Sequence, residues 1–238
     1  MLVESAAQAP FNRVLPITAV LFDFHSTLID QGDAASWLGH ALARAPHELG
    51  SDQRSALLAF LDRIWENARV IDPESARDRS PVDHERVFHE LLVHGPSMDA
   101  PLAAALYASL LDSWHAYADA APTLRALRAA GVRIGVLSNV GVSIRGVLER
   151  EGLADLVDAV VLSCEVGAVK PDPAIFTSAL DALGSTAAQT LMVGDSGHDD
   201  VGGTALGMRT LVLPRTRGDV HGLAVVVGLV DASRALLA

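Results

Sequence analysis

Five short segments rich in β-branched and aliphatic residues recur along this chain, and helical patterns separate the later ones. The segments are TAVLFDF (18–24), VRIGVLSN (132–139), DAVVLSCEV (158–166), TLMVGD (190–195) and RTLVLP (209–214). Each is almost continuously apolar and ends in polar or turn-forming residues, which is typical of strands buried on both faces. Parallel strands need crossover helices between them, so the alternation predicts an α/β fold built on a parallel sheet.

A long interval between the first two predicted strands has a different character. It contains the helical patterns AASWLGHALARA, SDQRSALLAFLDRIWENARV, HERVFHELLVHG and APLAAALYASLLDSWHAY and no convincing strand. We therefore expect an inserted all-helical unit over residues 33–116. Residues 14–32 and 117–238 would form the α/β core, in which helices close on Gly152 and Gly184.

Composition narrows the classes of partner. The formal net charge is −11 and no basic stripe is present, which argues against nucleic acid as a partner. Cys164 is the single cysteine, so no intramolecular disulfide can form. Residues 1–13 lack a secretory pattern and are expected to form a loose arm, and the apolar run at 223–230 is too short for a membrane helix. We expect a cytoplasmic protein with no membrane partner, and the oligomeric state is left open.

Polar side chains stand where the predicted strands end. Asp23 ends the first strand, Ser138 the second, Lys170 follows the third and Asp195 ends the fourth. The carboxyl ends of parallel strands share one edge of the sheet, and ligands bind in the crevice outside that edge. Each residue alone is as readily explained by a helix cap or a solvated charge. Together, two carboxylates, a hydroxyl and a lysine predict a metal site that handles an anion.

Four motifs contain these residues: FDFHST (22–27), VLSN (136–139), VKPDP (169–173) and VGDSGHDD (193–200). In type and order they resemble the four motifs of the haloacid-dehalogenase (HAD) superfamily of hydrolases. The resemblance runs from about Val14 to the end of the chain. It implies a Rossmann-like core with a helical cap inserted after the first motif, at the place where the helical interval falls.

The resemblance also implies roles for individual residues. Asp23 would be the nucleophile, forming an aspartyl-phosphate that water hydrolyses, while Ser138 and Lys170 would hold the phosphoryl group. The expected phosphate-binding set is Ser26, Thr27, Ser138, Asn139 and Lys170. A small phosphorylated metabolite would be the substrate.

The implied cofactor is Mg²⁺. Asp23, Asp195 and the backbone carbonyl of His25 would bind it, and Asp200 would be the second acid of the last motif. Asp199 is the neighbouring alternative to Asp200, and the motif spacing favours Asp200.

His25 departs from the pattern, because the phosphatases of the family carry Asp two residues after the nucleophile as acid and base. Imidazole is able to exchange protons near neutral pH, so a histidine at this position alters the acid–base step of a phosphatase but does not exclude phosphatase activity. Three readings stay open. The first is a phosphatase in which His25 is the acid and base. The second is a dehalogenase-like hydrolase of small halogenated acids. The third is a weakly catalytic phosphometabolite-binding protein, considered together with transfer to an acceptor other than water.

Within the helical interval, the polar stretch 77–86 is the first place to look for substrate contacts. Arg77, Arg79, His84 and Arg86 are candidates for an anionic group, although a solvated face is the simpler expectation. The tryptophans Trp37, Trp65 and Trp114 are expected mainly in the core, with one able to line the cleft. Segments 29–33 and 116–121 are expected to act as hinges.

Overall fold

The computed structural model describes residues 15–235 and contains a five-stranded parallel sheet. The predicted arm, residues 1–13, lies outside the described residues. The sheet has the order β5-β4-β1-β6-β7, formed by β1 (Ala19–Phe22), β4 (Arg133–Ser138), β5 (Ala159–Leu162), β6 (Thr190–Gly194) and β7 (Arg209–Val212). Each lies within a segment predicted to be a strand. The predicted α/β class is confirmed.

Alternate residues of β1 face opposite sides of the sheet, as the two-residue period of a strand requires. Val20 and Phe22 pack in one hydrophobic cluster, while Ala19 and Leu21 pack in another. Helices cover both faces: α6 (Ala120–Ala129), α7 (Arg145–Arg150), α8 (Ser163–Val166), α9 (Pro173–Leu183) and α10 (Ala224–Ala235). The central strand is therefore buried on both faces, which explains its continuous apolar sequence.

The interval between β1 and β4 is helical, with α1 (Ala34–Arg44), α2 (Ser51–Leu61), α3 (Ile64–Ile71), α4 (Pro81–Val93) and α5 (Ala100–Ala108). Their apolar side chains form a hydrophobic cluster of their own. The chain enters and leaves this interval through two short antiparallel strands, β2 (Ile29–Asp30) and β3 (His115–Ala116). β2 lies in the first segment expected to act as a hinge, and β3 overlaps the second segment only at Ala116. Within residues 15–235, every helix is too short or too polar to span a lipid bilayer.

Several local predictions were wrong. The third predicted strand ends at Leu162, and its last four residues form α8, which ends where Gly167 adopts a positive φ of 79°. The segment predicted as one helix over 51–70 is two helices, because the chain turns at Asp62 and Arg63. The last predicted helix of the interval stops at Ala108, and the chain has become β3 by His115. Helix α6 was not predicted.

Candidate active site

The carboxyl edge of the sheet gathers the predicted residues. Asp23 directly follows β1, and its backbone N–H donates to Val193 of β6 at 2.8 Å. Asp195 directly follows β6. Asp23, Lys170, Asp195 and Asp200 all line one cavity of about 490 Å³ at this edge. The expectation that residues at strand ends share one edge of the sheet, called the strand-end rule below, thus holds for Asp23, Lys170 and Asp195, whereas Asp200 was assigned from the motif resemblance and Ser138 does not line the cavity.

A buried lysine joins two of the carboxylates. The Lys170 ammonium lies 2.6 Å from Asp23 Oδ1 and 2.6 Å from Asp200 Oδ1. Burial raises the pKa of Asp23 to about 7, and the like charges of Asp200 and Asp195 add to this while Lys170 opposes it. Burial alone would lower the pKa of Lys170, but the two carboxylates outweigh it and raise that pKa. The ammonium therefore stays charged and holds the Asp23 carboxylate in place.

Asn139 fixes the position of that lysine through its backbone. The amide of Asn139 accepts from the Lys170 N–H at 2.7 Å and donates to the Lys170 carbonyl at 2.9 Å. Because Asn139 follows β4, this pair of bonds ties the Lys170 loop to the sheet edge although β5 ends eight residues earlier, at Leu162. Asn139 also lines the cavity.

The last motif forms a compact loop around Ser196. Asp200 is fully buried, and its second oxygen, Oδ2, accepts from the Ser196 N–H at 2.9 Å. Asp199 instead accepts from the Ser196 hydroxyl at 3.2 Å and contacts His198 at 2.8 Å. Asp195 pairs with the guanidinium of Arg215. Asp200 is thus the acid that contacts Lys170, and Asp199 is turned toward the rim.

The hydroxyl residues divide into one that faces the cavity and two that do not. Ser26 lines the cavity with φ of 55°, a left-handed conformation, and its N–H is engaged by the Ile29 carbonyl at 2.8 Å. Thr27 is buried and its hydroxyl donates to Asp23 Oδ2 at 3.4 Å. Ser138 is also buried, and its hydroxyl has no partner within the described residues. Buried hydroxyl groups usually have a hydrogen-bond partner, so the unpaired Ser138 hydroxyl next to the cavity is unusual.

His25 sits against an aromatic wall. Its ring centroid is 4.4 Å from that of Trp114, with the two planes nearly perpendicular, and Phe24 lies on another side at 5.5 Å. The Nε2 atom is buried without a partner among residues 15–235. Burial, helped by the charges of Lys170 and other nearby groups, lowers the pKa of His25 to about 3. In this arrangement the imidazole is neutral at physiological pH.

Residues of the helical interval form the opposite wall of the cavity: Trp65, Arg69, Pro73, Ser75, Arg77, Asp78, His84, Leu110 and Trp114. Arg77 is buried, and its backbone N–H and guanidinium both donate to Asp72 Oδ2, at 2.9 and 3.0 Å. His84 Nδ1 lies 3.2 Å from the Tyr107 hydroxyl. Burial raises the pKa of Asp78 to about 6, against the pull of Arg77.

Of the four residues of the helical interval expected on a solvated face, two are buried and two are exposed. Arg77 and His84 are buried and line the cavity, so the solvated expectation was wrong for them. Arg79 is exposed, and Arg86 is exposed and paired with Asp83 and Glu90. Of the tryptophans, Trp37 is in the core, whereas both Trp65 and Trp114 line the cavity.

Sequence reasoning missed Arg215, Asp78 and the contact of Trp114 with His25. Arg215 follows β7 by three residues, so the strand-end rule applied to the fifth strand would have found it. Asp78 and Trp114 carry no such signal, because their place depends on how the helical interval packs against the sheet edge.

Comparison with known proteins agrees with this geometry. The family model of haloacid dehalogenase-like hydrolases matches residues 17–207. A zebrafish (Danio rerio) protein called haloacid dehalogenase-like hydrolase domain-containing protein 3 is 34% identical over 86% of this chain and 88% of its own length. The ribulose-1,5-bisphosphate 5-phosphatase of Halopiger xanaduensis is 33% identical over 82% of this chain and 84% of its own.

Among solved structures, a 2-haloacid dehalogenase from Pseudomonas syringae pv. Tomato superposes with a TM-score of 0.61. It is 26% identical, and the alignment covers 91% of this chain and 99% of that one. Relatives named as phosphatases and as dehalogenases thus share this fold. The match over most of the chain, with the charged cluster at the carboxyl edge of the sheet, establishes that the chain belongs to the haloacid dehalogenase-like hydrolases.

Proposed function

We propose that this chain is a Mg²⁺-dependent phosphohydrolase that cleaves a small phosphorylated metabolite through an aspartyl-phosphate on Asp23. The observation that carries the proposal is the Asp23 carboxylate, held at 2.6 Å by a buried ammonium that a second carboxylate also engages. A nucleophile fixed at the floor of a cavity needs little reorganisation to attack. Relatives named as phosphatases support this choice of reaction.

The donor set fits Mg²⁺. Asp23 and Asp200 contact one buried ammonium and Asp195 lines the same cavity, and the like charges of Asp200 and Asp195 contribute to the raised pKa of Asp23. In the described part of the chain no three His, Cys, Asp or Glu side chains alone make up a metal site. The proposed ligands are therefore Asp23 and Asp195 with the His25 carbonyl, and Asp200 completes the acidic set. When bound, the ion would supply positive charge for the phosphoryl oxygens.

The proposed reaction has two steps, formation of the aspartyl-phosphate and its hydrolysis. An Asp23 oxygen attacks phosphorus, the bond from phosphorus to the leaving oxygen breaks, and the leaving group departs as an alkoxide or aryloxide that takes a proton from water. Water next attacks the same phosphorus, the Asp23–phosphorus bond breaks, and phosphate leaves. Lys170 stabilises charge on the phosphoryl group, and the hydroxyl of Ser26, which lines the cavity, is the donor assigned to its oxygens.

His25 receives the role of proton acceptor from the attacking water. The neutral imidazole packed against Trp114 has a lone pair for that proton, although its lowered pKa makes it a weak base, and it carries no readily released proton for the leaving oxygen. Substrates whose leaving group needs little help should therefore react best. Aryl phosphates should be cleaved faster than alkyl phosphates by a wider margin in the wild type than in His25→Asp.

Residues 33–116 are proposed to be the helical cap that selects the substrate, with residues 14–32 and 117–238 as the catalytic core. Trp65, Arg69 and His84 reach the cavity from this cap. A cavity of about 490 Å³ is in the size range that encloses a small metabolite and not a macromolecule. The predicted cytoplasmic location stays a prediction.

The test is phosphate release from an aryl phosphate and a panel of metabolite phosphates, with Mg²⁺ and with chelator. Asp23→Asn should abolish release, whereas Asp181→Asn, the same chemical change on the exposed face of α9, should not. Release that persists in chelator or in Asp23→Asn would overturn the proposal.

Dehalogenation is the second candidate, because His25 replaces the expected acid and dehalogenases share the fold. Here Asp23 would attack carbon and the carbon–halogen bond would break. Halide release from a 2-haloacid without Mg²⁺, together with no phosphate release, would favour it. Binding of phosphate without turnover of either substrate would favour a binding protein.

A further inference from the structure

Among the cationic side chains of residues 15–235 that line the cavity, Arg215 is the one that contacts a proposed metal ligand from the solvent side. Its guanidinium pairs through Nε with Asp195 Oδ2. The Arg215 side chain is 66% exposed, whereas that of Asp195 is only 6% exposed. The pair is therefore asymmetric: the carboxylate is fixed in the floor of the site, and the guanidinium reaches it from water.

The other cations that line the cavity are placed differently. Lys170 is buried between Asp23 and Asp200, and Arg77 is buried against Asp72. Arg69 is exposed and forms no ion pair within residues 15–235. Only Arg215 combines contact with a proposed metal ligand and a side chain free to swing into solvent.

The backbone around Arg215 is anchored, so the side chain is the part that can move. The Leu213 N–H donates to the Gly194 carbonyl at 2.8 Å, which continues the pairing of β7 with β6. The Thr216 carbonyl accepts from the Tyr117 hydroxyl at 3.4 Å. Release of Arg215 from Asp195 therefore needs only rotation of a long side chain and no rearrangement of the loop.

We propose that Arg215 competes with the divalent cation for Asp195. Without the cation, the guanidinium neutralises Asp195 among the neighbouring carboxylates of the site. Cation binding displaces it, since the same oxygen cannot hold both at full strength and two cations in contact repel each other. The displaced guanidinium then adds positive charge to the mouth of the cavity only when the cation is present. This inference rests on the proposed metal site.

The size of the competition follows from the exposure of the pair. An ion pair with a well-solvated partner is weak, so its removal should tighten cation binding by about two- to five-fold. Arg215→Lys should lie between wild type and Arg215→Gln, because it keeps the charge but loses the planar fork that matches a carboxylate. Arg217→Gln is the matched control: it removes the same charge two residues away, where Arg217 is exposed and forms no ion pair among the described residues.

The experiment uses the full chain and Mn²⁺ alone, a stand-in for Mg²⁺ at oxygen sites whose free form is counted by paramagnetic resonance. Asp195→Asn identifies which bound ions depend on Asp195. Tighter Asp195-dependent binding in Arg215→Gln, beyond any change in Arg217→Gln, is the expected result. Equal changes in the two variants, weaker binding in Arg215→Gln, or no Asp195-dependent binding in any variant would overturn the inference. Phosphate release controlled by Asp23→Asn tests hydrolysis separately, so the two failures can be told apart.

Discussion

Gly141 is the point where an added methyl group should separate the helical interval from the sheet edge. A Cβ built there would lie 2.0 Å from the Arg77 carbonyl oxygen and 2.5 Å from the His84 Cβ. Real Cβ atoms do not approach within about 3.0 Å of such atoms, so the two surfaces must part by about 1 Å. The Arg77 backbone cannot easily give way, because the Asp72 carboxylate accepts from the backbone N–H groups of Ala76 and Arg77, both at 2.9 Å. We therefore expect Gly141→Ala to destabilise the protein by about 1–3 kcal/mol, the usual cost of overpacking.

The assay is urea unfolding followed by tryptophan fluorescence, together with KM for the best substrate found. KM should rise, because lifting the segment that carries Arg77 and His84 opens the cavity that they line. Gly146→Ala is the control: Gly146 lies in α7 with nothing within 4 Å of its Cβ position, so alanine should be neutral or slightly stabilising. Wild-type unfolding and wild-type KM in Gly141→Ala would refute the reasoning.

Three further predictions concern polar side chains that line the cavity. Lys170→Met should destabilise the protein by about 3–5 kcal/mol and more than Asp200→Asn does, since it leaves carboxylates facing one another whereas Asp200→Asn relieves repulsion; chemical denaturation of both variants checks the order. Asn139→Ala should cost about 2 kcal/mol through two lost bonds to the Lys170 backbone, and it should lower kcat more than Asn139→Asp, which keeps the acceptor; steady-state kinetics and unfolding decide. Burial, with Arg77, lowers the pKa of His84 from 6.5 to about 4, so the unfolded chain binds a proton at this residue more readily than the folded one. Neutral His84 therefore contributes up to about 3 kcal/mol to the free energy of unfolding above pH 6.5, and this contribution is lost as pH falls toward 4. His84→Gln should flatten the decline in unfolding free energy over that range, and an unchanged slope would contradict the assignment.

The sheet could be predicted because its central strands, β1, β4 and β6, are almost entirely buried and their sequences are continuous apolar runs. β2 and β3 have two residues each, too few for any period to show. The end of α5 was also invisible, because the helical pattern continues past Ala108 while Ser109 turns its hydroxyl back onto the Ala105 carbonyl. Secondary-structure propensity depends on residues close in sequence. The positions of β2 and β3 and the end of α5 depend instead on contacts with residues distant in sequence.

In the site as well, the residues placed by the sheet could be predicted and those placed by packing could not. The strand-end rule brought Asp23 and Asp195 to one edge because parallel strands fix that edge, whereas Lys170 reaches it through a loop that Asn139 holds. It did not foresee that the Ser138 hydroxyl is enclosed, since only the side-chain packing of β4 decides that. The cavity wall from the helical interval depends on contacts between distant segments, such as Gly141 with Arg77, and no spacing in the sequence encodes them.

The β2–β3 pair has a topological consequence. Asp30 lies opposite His115, so the helical interval leaves and rejoins the chain at neighbouring points, as the tip of a greatly enlarged hairpin does. Joining these two positions with a tight two-residue turn would preserve the path of every strand in the large sheet. The helical interval is thus an insertion between two paired strands. A different helical unit inserted there would begin and end at positions that the β2–β3 pair already holds side by side.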